Sequence, residues 1–386
     1  MSATALTGHE QRIVDVFVGS LVQKPASFDR TIDDDDEMYL YTLEFGVRGN
    51  RAWATLAYLH AGNQMMDAVR QIVQWGFGGF GNVSTFMDFA CGYGRFMRFL
   101  IQEMSVDRLW ASDIREDAVA FQVRRFGVYG VVSALDPADY SDDRKYDCIF
   151  VASLFSHLHE HAFRSWLRRL YDLLSPHGLL IFSVHDVSLM PANVATGPNG
   201  IGFVESNESE LLGRSSVLEK DYYGTTYVTE SFVANTLADI AGRTSGYCRV
   251  PKGLCGTQDL YVVSRSTRDF ANLDFPVRLK GHLDTCNVET GGRVSLGGWA
   301  VDFGDGSPAP EVQVLVNGET RQRCTTGLSR PDVAEHFHDA TKNGSGWACT
   351  LPDGSVERDD IVIVRAVGEH EATAIIAFGT LDSLVQ

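Results

Sequence analysis

The chain has 386 residues, 44% hydrophobic and 22% charged, a length that a single core rarely serves and a composition typical of globular domains. A net charge of −17 argues against a nucleic-acid partner, because an acidic surface repels phosphate backbones and offers no basic stripe. No run approaches the roughly eighteen apolar residues of a bilayer span, and Met1 to Thr4 has none of the basic and apolar character of a secretory signal. These features predict a cytoplasmic protein with no membrane insertion, and leave homo-oligomer formation open. The seven cysteines, scattered from Cys91 to Cys349 without a CxxC pair, read as reduced, buried small hydrophobes.

Residues 1–80 read as an N-terminal helical cap. Trp53, Leu56, Ala57, Met66, Val69, Ile72 and Val73 recur at helical spacing over Arg51–Trp75, with an expected interruption at Gly62-Asn63. The acidic run Asp33–Glu37 reads as a solvated loop. Across 81–265 strands and helices alternate. Strands are predicted at 85–89, 109–112, 129–133, 146–151 and 179–184, and helices at 94–103, 116–126 and 159–174. Short apolar strands separated by helices give an α/β fold, a doubly wound and mostly parallel sheet. Residues 186–226 lack periodicity and read as a lid or substrate insertion carrying Glu205, Tyr222 and Tyr223. A helix at 231–241 and strands at 246–250 and 260–265 follow.

Residues 266–275 read as a linker. Over 276–386 short strands at 294–301, 311–316, 347–351, 361–366 and 372–378, with turn signals such as Asp305-Gly306 and Asn317-Gly318, predict an all-β sandwich.

The first strand ends in Asp88-Phe-Ala-Cys-Gly-Tyr-Gly94, where glycines allow a tight turn and close approach of a ligand. A nicotinamide fingerprint would need a third glycine at position 97, which is Met97. A dehydrogenase, and a non-catalytic protein with a degenerate cofactor fold, are the competing readings. Asp88 before the glycines, Asp113 closing the next strand and the Ser175-Pro-His-Gly178 turn together resemble class I S-adenosylmethionine-dependent methyltransferases over about 83–265.

That resemblance implies a seven-stranded sheet and S-adenosyl-L-methionine as cofactor. It makes Asp88, Ala90 and Cys91 cofactor-binding, turns the Gly92–Gly94 backbone to the methionine part, and puts Asp113 on the ribose and Ile114 beside the adenine. Ser133, Ala134 or Leu135, or a shifted Asp136, would serve the adenine amine. Ser153-Leu-Phe-Ser-His157 resembles a stretch at the end of strand four in one methyltransferase subgroup, which puts Ser153 near the transferred methyl.

For a hydroxyl acceptor a base is required. His157 is the first candidate, and His185 with Asp186 the second, since a neutral imidazole accepts a proton near pH 7. No third ligand accompanies His185 and Asp186, so no metal is expected. The expected acceptor is a small molecule or glycan. Val294–Val301, Arg330–Phe337 and Gly346-Trp347 resemble a β-domain appended to bacterial polysaccharide-pathway transferases, with Trp299 and Trp347 as candidate sugar-stacking residues.

Overall fold

The computed structural model describes residues 5–21, 25–46, 50–191, 194–205, 224–242, 246–273, 279–302, 309, 311–368 and 373–385. Two compact units divide the chain: 26–273 with 1–6 in one, and 274–386 with 7–25 in the other.

In the first unit, strands β1 (Phe86–Phe89), β2 (Leu109–Asp113), β3 (Tyr129–Val132), β4 (Tyr146–Val151) and β5 (Leu174–Asp186) run parallel in the order β3-β2-β1-β4-β5. All four β1 residues are buried, as a central strand covered on both faces requires. Two further strands, β8 (Tyr247–Leu254) and β9 (Gln258–Ser264), form a hairpin whose β9 edge pairs antiparallel with β5. The result is the expected seven-stranded, mostly parallel sheet.

Right-handed crossovers put the helices on opposite faces, because the order runs outward from β1 to β3 and then reverses to β4. Helices α4 (Met97–Glu103) and α5 (Glu116–Phe126) connect the first three strands, and α6 (Glu160–Asp172) connects β4 to β5. Helix α6 buries Phe163, Trp166, Leu167 and Leu170 along one stripe, and the His159 ring accepts from the Ala162 N–H at its start. A later helix, α7 (Glu230–Ala241), is capped by the Thr229 hydroxyl and packs on α6.

The N-terminal segment departs from expectation in three ways. Helix α1 (Gly8–Leu21) belongs to the second unit, so the 1–80 segment is divided between the two. Helix α3 (Arg51–Phe77) runs unbroken through Gly62. A Cβ there would stand 2.3 Å from the Arg95 carbonyl oxygen, so Gly62 permits close packing and does not interrupt the helix. The acidic run is not uniformly solvated: Asp36 is 3% exposed and caps the short α2 (Glu37–Tyr41) by accepting the Tyr39 N–H.

The 186–226 insertion contains regular structure. Strands β6 (Ile201–Glu205) and β7 (Gly224–Val228) pair antiparallel, and β7 pairs parallel with the end of β5 at His185 and Asp186.

The second unit is an all-antiparallel sandwich. Strands β10 (Leu279–Val288), β11 (Val294–Asp302) and β14 (Gly346–Leu351) form one sheet; β12 (Glu311–Val316), β13 (Glu319–Thr325), β15 (Ile361–Val367) and β16 (Thr373–Thr380) form the other. Alternating inward residues such as Val294, Leu296, Val312, Val314 and Val364 fill its core with Trp347. Helix α1 adds Val14, Phe17 and Val18, with the Phe17 and Phe378 rings 5.0 Å apart. Short helices α8 (Pro331–His336) and α9 (Leu381–Leu384) complete it.

Candidate active site

The reversal in strand order opens a crevice beyond the carboxyl ends of β1, β2 and β4. Ala90, Gly92 and Gly94 take φ of 57°, 50° and 80° and wind the chain tightly after β1. The Cys91 N–H donates to the Ser112 carbonyl at 3.1 Å and ties this loop to β2. A Cβ on Gly92 would meet nothing within 4 Å, so that side of the loop faces open space. A Cβ on Gly94 would stand 2.4 Å from the Phe126 ring, so glycine there serves packing.

Asp88 is 3% exposed, and its Oδ2 has no hydrogen-bond partner among the described residues. Burial holds its carboxyl well above the ordinary range; the Asp113 charge adds to this and the Arg95 guanidinium opposes it. Asp113 accepts the Gly92 N–H at 2.8 Å and the Arg115 N–H at 3.0 Å, one on each oxygen. Burial raises its pKa against those N–H groups. Each carboxylate oxygen has a second lone pair, so Asp113 keeps capacity for a diol. The orphaned Asp88 oxygen, the open face of Gly92 and the acceptor capacity of Asp113 fit a ligand that carries an ammonium and a ribose.

Ile114 is half-buried after β2, and so are Ser133, Ala134 and Leu135 after β3. The Ser133 N–H donates to the Asp113 carbonyl at 2.8 Å, and the Trp166 indole donates to the Leu135 carbonyl at 3.2 Å. Asp136 accepts its own turn's Ala138 N–H at 2.9 Å.

Two buried polar residues that sequence reasoning missed hold the loop. The Gln122 side chain donates to the carbonyls of Cys91 and Gly92 at 3.2 and 2.8 Å. Fully buried Arg98 donates to the carbonyls of Gly94, Asp29 and Thr31 at 3.0 to 3.1 Å. A polar residue within an apolar helix stripe was the one available signal for each.

At the end of β4, Ser153 adopts φ 63° and its N–H donates to the Ser183 hydroxyl at 2.8 Å. The following turn is closed by Ser156 Oγ on the Ser153 carbonyl and by the His157 N–H on the Leu154 carbonyl. His157 Nδ1 lies 2.8 Å from the Gly224 carbonyl, which only a donor satisfies. The proton therefore sits on Nδ1 and the lone pair on Nε2. Burial is the main cause that lowers the His157 pKa to about 4, aided by the nearby His185. The two imidazole centroids are 6.5 Å apart. Burial also lowers the His185 pKa, and the Thr226 backbone opposes it.

His157 and His185 are thus brought together, with Ser153 adjoining. Asp186 is not directed at them: its carboxylate receives Arg249 and the Ser188 N–H at 2.8 and 2.9 Å. Glu205 ends β6 and pairs in register with Gly224. Tyr222 and Tyr223 lie outside the described residues. Sequence reasoning also missed Gln258, which β9 brings against Ser153, Ser183 and His185. No group of metal-ligating side chains occurs among the described residues.

Residues 87–180 match the family model described as a methyltransferase domain. No curated protein matches the chain. Among solved structures, it is similar to an S-adenosylmethionine-dependent methyltransferase from Clostridium acetobutylicum (12% identity, TM-score 0.39, covering 58% of this chain and 96% of that one). It is also similar to the 1,6-didemethyltoxoflavin N1-methyltransferase of Burkholderia thailandensis (18%, TM-score 0.38, 60% and 86%). A third similar structure is an amino pentose methyltransferase from Micromonospora echinaspora (11%, TM-score 0.38, 53% and 92%).

The strand order, the glycine loop with Asp113, and the family match together define the first unit as a class I, S-adenosylmethionine-dependent methyltransferase domain. No helix among the described residues is long and apolar enough to cross a membrane.

Proposed function

We propose that this domain methylates a hydroxyl of a small molecule or glycan, with His157 as general base. The observation that carries the reading is His157 itself, a buried imidazole at the end of β4 whose Nδ1 proton is committed to Gly224. When bound, S-adenosylmethionine supplies an electrophilic methyl on its sulfonium. Asp113 accepts the ribose hydroxyls through its remaining lone pairs, and Gly92 leaves room for the methionine part. Asp88 faces the ammonium. Ala90 and Cys91 shape the loop between them. Ile114 and the Ser133–Leu135 segment flank the adenine. Ser153 positions the turn that carries His157, and the His157 Nε2 lone pair takes the acceptor proton.

The acidic surface and the likeness of the β-unit to bacterial polysaccharide-pathway domains support a cytoplasmic bacterial enzyme with a glycan-linked acceptor. Glu205, Tyr222 and Tyr223 belong to the insertion expected to cover that acceptor. His185 is the competing base; Asp186, held by Arg249, does not pair with it.

The test has two parts. Calorimetric titration should show binding of S-adenosylhomocysteine and none of NAD. Labelled S-adenosylmethionine should then methylate members of a panel of hydroxylated sugars and small alcohols. If His157→Ala keeps full turnover on the accepted substrate, histidine at this position is not the base.

A further inference from the structure

Two histidines stand at the end of the sheet, and their surroundings distribute protons between them. The chain of hydrogen bonds starts at a group with no ambiguity: the Ser153 backbone N–H can only donate, and it does so to Ser183 Oγ at 2.8 Å. The Ser183 hydroxyl donates to Gln258 Oε1 at 2.6 Å. The Gln258 amide stands with its oxygen on the Ser183 side and its nitrogen on the His185 side. Its Nε2 lies 3.0 Å from Ser153 Oγ and 3.3 Å from His185 Nε2. An amide nitrogen only donates, so His185 Nε2 must accept.

We propose that Gln258 is a positioning residue: its amide occupies the His185 Nε2 lone pair and withdraws that ring from base chemistry. The same amide steadies the left-handed Ser153 residue from which the His157 turn departs. The inference rests on the reading of His157 as base, but its geometry stands without it.

The charged neighbours leave this assignment intact. Asp186 and Glu230 are engaged by Arg249, and Asp259 by Arg249 and the Lys252 N–H. The titratable rings facing His185 are His157 and Tyr227, with centroids 6.5 and 5.6 Å away.

Nitrogen NMR of the full chain, labelled with 15N-histidine, tests this without an acceptor; His185→Gln assigns the signal. In the wild type at pH 7, His185 should show a pyridine-type Nε2 and a pyrrole-type Nδ1. In Gln258→Leu the two signals should converge as the tautomer preference is lost. In Gln258→Glu the His185 midpoint should rise by about one unit or more, because a carboxylate favours the imidazolium. A wild-type His185 protonated at Nε2 overturns the proposal, whatever the variants do. So does an unchanged His185 spectrum in both variants. If Gln258→Leu gives no cooperative melt, the wild-type and Gln258→Glu spectra decide. Full turnover by His157→Ala would instead overturn the base reading and leave these spectra untouched.

Discussion

The Tyr58 hydroxyl donates to the Asp36 carboxylate at 2.5 Å, joining the N-terminal part of α3 to a segment 22 residues earlier. Burial raises the Asp36 pKa, and the Tyr58 hydrogen bond and the Tyr39 N–H oppose the shift. The Arg98 guanidinium stands over the Tyr58 ring, 5.3 Å from its centroid, and Arg98 in turn grips the Gly94 carbonyl. One buried cluster therefore connects the acidic run to the cofactor loop. Tyr58→Phe should cost about 1–3 kcal/mol, the penalty for a buried acceptor that loses its donor. Urea unfolding followed by tryptophan fluorescence checks it.

Gly62→Ala places a methyl against the Arg95 carbonyl. The backbone must move apart there, at an expected cost of about 1–3 kcal/mol for overpacking. Loss of affinity for S-adenosylhomocysteine should accompany the drop in melting temperature, since Arg95 directly follows the Gly92–Gly94 turn.

Asp113→Ala should weaken S-adenosylhomocysteine binding about 10- to 100-fold, the worth of hydrogen bonds to a charged acceptor. It also strips the Gly92 N–H of its partner. Asp113→Asn keeps one acceptor oxygen and should fall between wild type and alanine in the same calorimetric titration.

Protonation of His157 and His60 should take stability from the fold between about pH 6.5 and pH 4, while the raised carboxyls of Asp36, Asp67, Asp88 and Asp113 act in the opposite sense. Burial lowers both His157 and His60 to about 4, below the unfolded value of 6.5. The unfolded chain therefore binds protons across that window while the native state does not. Stability from these groups is complete above pH 6.5 and is lost as pH falls through 4. The difference in guanidinium midpoint between wild type and His157→Gln, measured from pH 8 to pH 4, should shrink as pH falls, since only the wild type carries the His157 contribution.

The two tryptophans of the sandwich should separate. Trp347 is 1% exposed in the core, whereas Trp299 is half-buried with its ring edge-to-face against Phe337 at 5.6 Å. Trp347→Ala should cost about 3–5 kcal/mol, and Trp299→Ala much less. If the unit binds sugars, Trp299→Ala should weaken retention on a polysaccharide column and leave the melt nearly unchanged.

The sheet was legible because β1, β4 and the 179–184 part of β5 are short apolar runs, and α6 has a clean stripe; Ser175-Pro-His-Gly178, expected as a turn, instead lies within β5 at a register irregularity against β4. The glycine loop and Asp113 were legible because their chemistry is local in sequence. Gln258, Gln122 and Arg98 were not, since each acts on residues brought near only by tertiary folding. The same holds for Gly62, whose helix-breaking tendency gives way to a packing demand from α4. Strands β6 and β7 escaped notice because 186–226 is rich in Gly, Ser and Asn, and its pairing partners lie on the β5 extension and the 156–158 turn.

Helix α1 packs within the β-unit although some 250 residues of the other unit separate them in sequence. During synthesis it emerges well before the strands it packs on and must wait for them. Until β15 and β16 form, the apolar side chains of Val14, Phe17 and Val18 have no sandwich to cover them. A chain cut after Ser266 would carry that orphaned helix permanently and should aggregate for reasons unrelated to catalysis. The cleaner excision is 26–273, which removes α1 together with the strands it waits for.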